Sequence, residues 1–155
     1  MKALICGSFD PVTNGHLDII KRTAALFDSV VVGIFVNSDK KYLFDVNKRF
    51  ELLTEATKEL KNVTVDNCEG LVARYVEKNG IDVIVKGIRN TADYEYEFEM
   101  AKINKHIYNK AETLLMPASA ETEFLSSGFV KTMFFAGEDI SGFVPECVKN
   151  ALTRK

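Results

Sequence analysis

The 155-residue sequence lacks the features that mark secreted proteins, membrane-spanning proteins and proteins with structural zinc sites. Its three cysteines, Cys6, Cys68 and Cys147, are far apart and never in CxxC spacing, so neither a disulfide framework nor a zinc site is indicated. Only four apolar residues follow Lys2 before Gly7, which is too few for a signal peptide, and no apolar run approaches the length of a membrane span. We therefore expect a cytoplasmic protein that has no membrane partner.

The sequence also lacks a charge excess, internal repeats and low-complexity tracts. A net charge of −2 argues against general nucleic-acid binding, which needs a basic surface, although a local basic pocket for a small polyanion remains compatible with it. Apolar residues make up 46% of the chain, which disfavours disorder. The length suits a single domain over residues 1–155 with a substantial core.

The most informative stretch is residues 7–16, which read Gly-Ser-Phe-Asp-Pro-Val-Thr-Asn-Gly-His. A continuously apolar run precedes it at residues 3–6, and an amphipathic segment follows at residues 17–27. This order predicts a strand, a glycine-bounded turn and a helix. The first N–H groups of a helix have no partner within the helix, so such a turn is a ready site for an anion.

Polar side chains in this turn favour a phosphoryl group as the anion. Ser8, Thr13 and Asn14 can add hydrogen bonds, and His16 can donate a proton or a hydrogen bond to a phosphoryl oxygen. From spacing alone, a plain strand-to-helix turn with a capping Asn14 and an incidental His16 explains the pattern equally well.

Strand-like and helix-like segments alternate along the rest of the chain. A parallel α/β sheet is therefore predicted. Buried strands are expected at residues 30–36, 63–65, 82–85 and 113–116, each followed by a helical segment.

Cations and hydroxyls follow several of these strands, at the edge where open α/β sheets bind ligands. Lys40 and Lys41 follow the second strand, and Lys86 and Arg89 flank a glycine after the fourth. Residues 126–127, both serine, fall at a predicted helix N-terminus. Each set could clamp phosphate, but solvated cations and ordinary helix caps are the simpler interpretations.

Three motifs in this sequence resemble those of the phosphopantetheine adenylyltransferase family. Residues 7–16 are similar to its G-S/T-F-D-P-x-T-x-G-H signature, which contains the T/H-x-G-H motif of the nucleotidyltransferase superfamily. Residues 86–89 resemble its R-G-I/L-R pattern, with Lys86 in place of the first arginine. Residues 124–128 resemble its F-I/V-S-S-S pattern, with Gly128 in place of the third serine.

The resemblance implies a Rossmann-like, doubly wound nucleotidyltransferase fold with strand order 3-2-1-4-5 and a crevice between the first and fourth strands. The implied reaction transfers the adenylyl group of ATP to 4′-phosphopantetheine, giving dephospho-coenzyme A and pyrophosphate, by direct in-line attack without a general base. Mg²⁺ is expected to be carried by the ATP phosphates, with no protein metal site. A hexamer and inhibition by coenzyme A in the same pocket are also implied.

The resemblance also implies roles for individual residues. His16 is the expected catalytic residue. The expected acceptor-binding residues are Ser8, Lys40, Val72 and Lys86. The expected ATP-binding residues are Ser8, Phe9, His16, Gly87, Ile88, Arg89, Glu97, Thr122, Glu123, Phe124, Leu125, Ser126, Ser127 and Gly128.

Two other functions remain open at this point. One is a sister transferase that uses CTP, or a different phosphorylated acceptor such as nicotinamide mononucleotide. The other is a non-catalytic module that binds ATP, which would need the anion-binding turn but not His16 beside a second phosphate clamp.

Overall fold

A computed structural model describes residues 1–36 and 41–153 of the chain. Strands and helices alternate from the N-terminus, as the sequence predicts. The elements in chain order are β1 (Lys2–Gly7), α1 (Asn14–Leu26), β2 (Ser29–Phe35), α2 (Val46–Thr57), β3 (Val63–Cys68), α3 (Val72–Asn79), β4 (Val83–Ile88), α4 (Thr91–Ile107), β5 (Glu112–Pro117), α5 (Ser127–Phe135) and α6 (Glu146–Thr153).

The five strands form one parallel sheet in the order β3-β2-β1-β4-β5, which confirms the predicted topology. β1 lies at the centre, pairing with β2 on one side and with β4 on the other. The chain order therefore reverses at β1. In open α/β sheets, the crevice at such a reversal is where ligands bind.

Successive residues of the central strands point to opposite faces of the sheet and build two apolar layers. Ala3 and Ile5 of β1 belong to the larger layer, with residues from α1, α2, α5 and α6. Leu4, between them, belongs to the smaller layer, with Val76 of α3. Because both faces of β1 are covered, the strand is continuously apolar, as expected for a buried parallel strand.

The predictions of where β3 and β4 end were wrong. β4 continues through residues 86–88, which the sequence pattern places in a loop, because these residues pair with residues 115–117 of β5. β3 likewise continues to Cys68, which pairs with Phe35. The apolar pattern did not predict these extensions, because polar residues occur at both strand ends. Hydrogen bonds between strand backbones do not require apolar side chains.

The long helix α4 is unusual in burying little of its own surface. Asn104 is its single buried residue, whereas Tyr94, Tyr96, Phe98 and Ile103 are exposed. Across residues 1–36 and 41–153, no helix combines the length and apolar composition needed to cross a membrane.

Candidate active site

A cavity of about 490 Å³ opens at the carboxyl ends of β1 and β4, where the sheet order reverses. Its walls come from the β1–α1 turn, β4, one side of α4 and the loop before α5. The lining includes Ser8, Phe9, His16, Val72, Lys86, Gly87, Arg89, Glu97, Thr122, Leu125, Ser126 and Ser127.

His16 lies in the first turn of α1, and its imidazole forms part of the helix cap. Thr13 is the N-cap, and its hydroxyl accepts a hydrogen bond from the His16 N–H. In return, the Thr13 backbone N–H donates to Nδ1 of His16 at 3.0 Å. Thr13 therefore takes the capping role that the simplest sequence interpretation gave to Asn14.

This contact fixes the tautomer of His16, because a backbone N–H can only donate. Nδ1 is therefore an unprotonated acceptor, and the proton of the neutral ring lies on Nε2. Burial, together with the positive charges of Arg89 and Lys86, lowers the pKa of His16 to about 4. His16 thus offers the cavity a neutral Nε2–H hydrogen-bond donor at neutral pH.

Two buried charged side chains connect the β1–α1 turn, residues 8–13, to the start of α2. Arg49 donates from Nη1 to the Ser8 carbonyl oxygen at 2.8 Å and stacks on the Tyr42 ring. The Asp10 carboxylate accepts from the backbone N–H groups of Leu43 and Phe44 at 2.7 and 2.9 Å. The turn and the start of α2 are therefore bound to each other through buried polar contacts.

Two glycines allow close approach at this site. A Cβ on Gly7 would lie 3.2 Å from the ring of Phe9, which itself adopts a positive φ of 47°. A Cβ on Gly87 would lie 2.9 Å from the side chain of Ile19 on α1. A larger residue at position 87 would therefore push α1 away from β4 and widen the gap between His16 and the β4 cations.

A second helix N-terminus reaches the same cavity through α5. Ser126 is its N-cap and accepts from the Phe129 N–H at 2.9 Å. The Ser127 hydroxyl donates to the Pro11 carbonyl oxygen at 2.8 Å, which ties the start of α5 to the β1–α1 turn. The two helix N-termini therefore border one cavity, and each carries partial positive charge.

Two cations line the cavity from residues 86–89, which we call the β4–α4 connection: Lys86 lies within the end of β4, and Arg89 directly follows the strand. Nζ of Lys86 lies 3.0 Å from Glu97 Oε1 and also contacts the carbonyl oxygen of Cys6 at 3.2 Å and Sγ at 3.7 Å. Burial alone lowers the pKa of Lys86, but Cys6 and the Glu97 carboxylate outweigh it and raise the pKa above its ordinary value. Lys86 therefore remains charged.

Arg89 supplies the second cation and is bound by Asp93 one helical turn along the chain. Nε donates to Asp93 Oδ2 at 2.7 Å, and Nη2 donates to Oδ1 at 3.0 Å. Nη1 donates to the carbonyl oxygen of Leu125 at 3.0 Å. These hydrogen bonds from Arg89 lower the pKa of the Asp93 carboxyl.

Apolar and aromatic side chains also line the cavity. They come from β2, α3 and α4 and include Phe35, Val72, Tyr96, Met100 and Ala101. The cavity thus combines polar groups that suit phosphate with apolar side chains that suit an uncharged part of the same ligand.

Carboxylates in the described residues are not arranged as a metal site. Within residues 1–36 and 41–153, no group of three or more His, Cys, Asp or Glu side chains could hold a metal ion. The two acids that line the cavity, Asp93 and Glu97, are each paired with a cation.

Known proteins resemble this chain over most of its length. Residues 4–133 match the family described as cytidylyltransferase-like. The chain is 45% identical over 153 residues to the phosphopantetheine adenylyltransferase of Clostridium beijerinckii, covering 98% of this chain and 96% of the relative. It is 44% identical to the enzyme of that name from Clostridium tetani, covering 99% and 96%. The chain belongs to the phosphopantetheine adenylyltransferase family of nucleotidyltransferases.

A solved structure supports the fold of this family member independently. A Vibrio parahaemolyticus protein assigned as a nicotinate-nucleotide adenylyltransferase superposes with a TM-score of 0.72 at 20% sequence identity. The similarity covers 99% of this chain and 91% of that one. At this identity it bears on the fold alone, and it agrees with the α/β nucleotidyltransferase architecture predicted from the sequence.

The cavity brings together most of the residues that the family motifs select, but four lie outside its lining. Ile88, Glu123, Phe124 and Gly128 do not line the cavity. Phe124 is exposed and packs edge-to-face on two other phenylalanines. Lys40 lies outside the described residues, so its predicted contact with the acceptor stays a prediction.

Several lining residues were not selected from the sequence. Met100, Ala101 and Asn104 follow Glu97 by three, four and seven positions, so they share its helix face and line the same cavity. Asp93 follows Arg89 by four positions, the spacing of a helical ion pair. Once Glu97 and Arg89 are assigned to the site, helical spacing is therefore sufficient to predict these four residues.

Proposed function

We propose that this chain transfers the adenylyl group of ATP to 4′-phosphopantetheine, releasing pyrophosphate and forming dephospho-coenzyme A. The observation that carries the proposal is a single cavity lined both by groups that suit phosphate and by apolar side chains. 4′-Phosphopantetheine is a phosphomonoester with an uncharged arm, so one molecule matches both kinds of lining. The family membership points to the same reaction.

The reaction is a direct in-line displacement at the α-phosphorus of ATP. An oxygen of the acceptor phosphate forms a new bond to this phosphorus, the bond to the β-phosphate bridge breaks, and pyrophosphate leaves with the electron pair. The acceptor phosphate is already an anion at neutral pH, so no general base is needed. Catalysis then rests on positioning and on stabilisation of the charge that develops on the phosphoryl oxygens.

His16 is the proposed donor to that developing charge. Its neutral Nε2–H is fixed by the cap contact on the other ring nitrogen, so the donor is in place before the substrates bind. A preorganised donor of this kind stabilises the transition state without reorganisation at the moment of reaction.

The remaining groups divide between the two substrates. Ser8, Lys40 and Lys86, with the backbone near Val72, bind the acceptor. Arg89, Ser126 and Ser127 bind the β- and γ-phosphates, which become pyrophosphate. Ser127 is already bound to the β1–α1 turn, so the pyrophosphate end lies next to the turn that carries His16.

Mg²⁺ is expected to arrive as part of the nucleotide. Asp93 and Glu97 are engaged by Arg89 and Lys86, so the ion's oxygen ligands would come from ATP phosphates and water. The protein's contribution is therefore to bind the phosphates that carry the ion.

The test is pyrophosphate release from the purified protein with MgATP and 4′-phosphopantetheine, with identification of dephospho-coenzyme A by mass. CTP replaces ATP in one arm, nicotinamide mononucleotide replaces the acceptor in another, and a third has no acceptor. Release that requires both ATP and 4′-phosphopantetheine supports the proposal. Activity only with CTP or with the other acceptor would overturn the substrate assignment, and ATP binding without any release would favour a non-catalytic module.

We also propose that the protein is a cytoplasmic homo-oligomer, a hexamer by its family resemblance, that coenzyme A inhibits. The exposed aromatic residues Tyr94 and Phe98 stack on each other on α4, which suits a surface covered by another subunit. The three cysteines are free, which suits a reducing compartment. Light scattering of the unaltered chain and of Phe98→Glu tests the oligomeric state. Coenzyme A titration of the turnover assay tests the inhibition.

A further inference from the structure

Asp93 lies at the third position of α4 and uses both carboxylate oxygens on Arg89. Its backbone N–H is bound by the N-cap residue, Asn90, at 2.9 Å. A negative charge in the first turn of a helix is favourable in itself. That effect requires only the negative charge. The two carboxylate oxygens of Asp93, in addition, accept hydrogen bonds from Nε and Nη2 of Arg89.

The contacts of Arg89 leave a defined pair of donors. A guanidinium has five N–H donors. Among the described residues, three are engaged: Nε and one N–H of Nη2 by Asp93, and one N–H of Nη1 by the Leu125 carbonyl oxygen. One N–H therefore remains on each terminal nitrogen, and each can donate a charge-assisted hydrogen bond to a phosphate oxygen.

The Leu125 contact also locates the free donors. Leu125 directly precedes Ser126, the N-cap of α5, so the guanidinium lies beside the second helix N-terminus of the cavity. Arg89 is therefore bound both to the first turn of α4 and to the start of α5. Without Asp93, the Leu125 carbonyl oxygen would be the one remaining hydrogen-bond partner of the guanidinium among the described residues.

We propose that Asp93 is a positioning residue for ATP: it holds the guanidinium of Arg89 so that its two remaining N–H donors bind the phosphate tail. The inference rests on the proposed function, in which Arg89 contacts the β- and γ-phosphates. It predicts that loss of Asp93 weakens ATP and pyrophosphate binding while 4′-phosphopantetheine binding is retained.

The experiment compares Asp93→Asn with two matched variants. Asn90→Ala weakens the same helix start but leaves Asp93 and Arg89 intact. Glu99→Gln removes the same charge from the same helix, at an exposed pair with Lys102. For each protein, ATP and pyrophosphate affinities are measured by calorimetry, the KM of each substrate by pyrophosphate release, and stability by thermal unfolding.

We expect Asp93→Asn to weaken ATP and pyrophosphate binding by about tenfold or more, the effect of losing charge-assisted hydrogen bonds. Asn90→Ala should lower the melting temperature. Both Asn90→Ala and Glu99→Gln should leave ATP affinity within about twofold. Equal losses of ATP affinity in Asn90→Ala and Asp93→Asn would overturn the proposal in favour of a helix-capping role. Unchanged or tighter ATP binding by Asp93→Asn would overturn it too, because Arg89 would then need no positioning.

The calorimetric arm separates this proposal from the proposed function. If the unaltered chain releases no pyrophosphate with any acceptor, the proposed reaction fails, but the nucleotide and pyrophosphate affinities still test Asp93. If the unaltered chain turns over normally and Asp93→Asn binds ATP equally well, the reaction stands and the role of Asp93 fails.

Discussion

The β1–α1 turn and the β4–α4 connection border the same cavity, and they present hydrogen-bond donors in opposite ways. The first offers neutral donors, the His16 imidazole and the helix N–H groups, on a backbone held by buried Asp10 and Arg49. The second offers two charged side chains, each bound to an acid of α4. One region depends on buried backbone geometry, and the other on ion pairs at the surface of the cavity.

This difference predicts separate consequences for mutation. In the β1–α1 turn, donors and structural supports are coupled, so some changes should lower stability as well as activity. In the β4–α4 connection, the acids that pair with the cations come from one helix. The Arg89–Asp93 pair is partly exposed, so changes to that pair should alter substrate affinity with little loss of stability.

The largest effect is expected at His16. His16→Ala should lower kcat by about 10²–10³, the usual cost of losing a preorganised donor to the transition state. ATP affinity should be largely retained, because the helix N-terminus and the α5 hydroxyls remain. Steady-state kinetics with calorimetry checks both, with His106→Ala, an exposed histidine on α4, as the control. Near-normal turnover by His16→Ala would remove His16 from the mechanism.

Asp10→Asn should produce the clearest stability loss of the same region. The buried carboxylate accepts from two backbone N–H groups and from Lys131, and an amide can accept with only one of its two ends. We expect the free energy of unfolding to fall by about 1–3 kcal/mol in denaturant titrations. Glu55→Gln, which removes an exposed ion pair, is the control and should change little. Equal stability of the two variants would contradict a structural role for Asp10.

Lys86 tests the charged region with a smaller expected effect. Lys86→Ala should raise the KM for 4′-phosphopantetheine by about tenfold, because a charge-assisted contact to the acceptor phosphate is lost. Lys86→Arg, which restores the residue usual in the family motif, should retain or improve the KM. Kinetics at varied acceptor and saturating ATP distinguish the two. A rise in the KM for ATP alone would reassign Lys86 to the nucleotide.

The two regions also differ in how far the sequence predicts them. Apolar runs of three to seven residues were sufficient to predict strands that alternate with helices in a parallel sheet, because buried parallel strands are continuously apolar. The strand order and the position of the crevice were predicted from the family resemblance. The β1–α1 turn is local in sequence, so residues 7–16 could be assigned together. Its supports could not, since Arg49 and Lys131 lie 41 and 121 positions from their partners in the turn.

Pairing of charges was the part that sequence motifs missed. The motifs selected Lys86, Arg89 and Glu97 as separate ligand-binding residues. The structure places Glu97 on Lys86 and Asp93 on Arg89. The second pair follows from i,i+4 spacing across the helix start, whereas the first requires the packing of α4 against β4.

The smallest expected effect concerns the His16 ring, whose protonation state should not change near neutral pH. Its pKa of about 4 means that the imidazole should stay neutral between about pH 5 and 8, with the proton on Nε2. NMR of the His106→Gln variant, which leaves one histidine in the chain, reports both the titration and the tautomer. A midpoint near the ordinary histidine value, or a proton on Nδ1, would contradict the cap contact with Thr13.

The same shift makes a signed prediction for stability. An unfolded histidine takes up a proton near pH 6.5, whereas folded His16 does so only near pH 4. As the pH falls through this window, the unfolded chain binds a proton that the folded chain does not, so the contribution of His16 is present above pH 6.5 and is lost toward pH 4. His16→Gln should therefore flatten the decline in melting temperature over that window, whereas His106→Gln should not. An unchanged slope in His16→Gln would mean that protonated His16 is accommodated in the folded protein, and the first region would then carry a charged donor like the second.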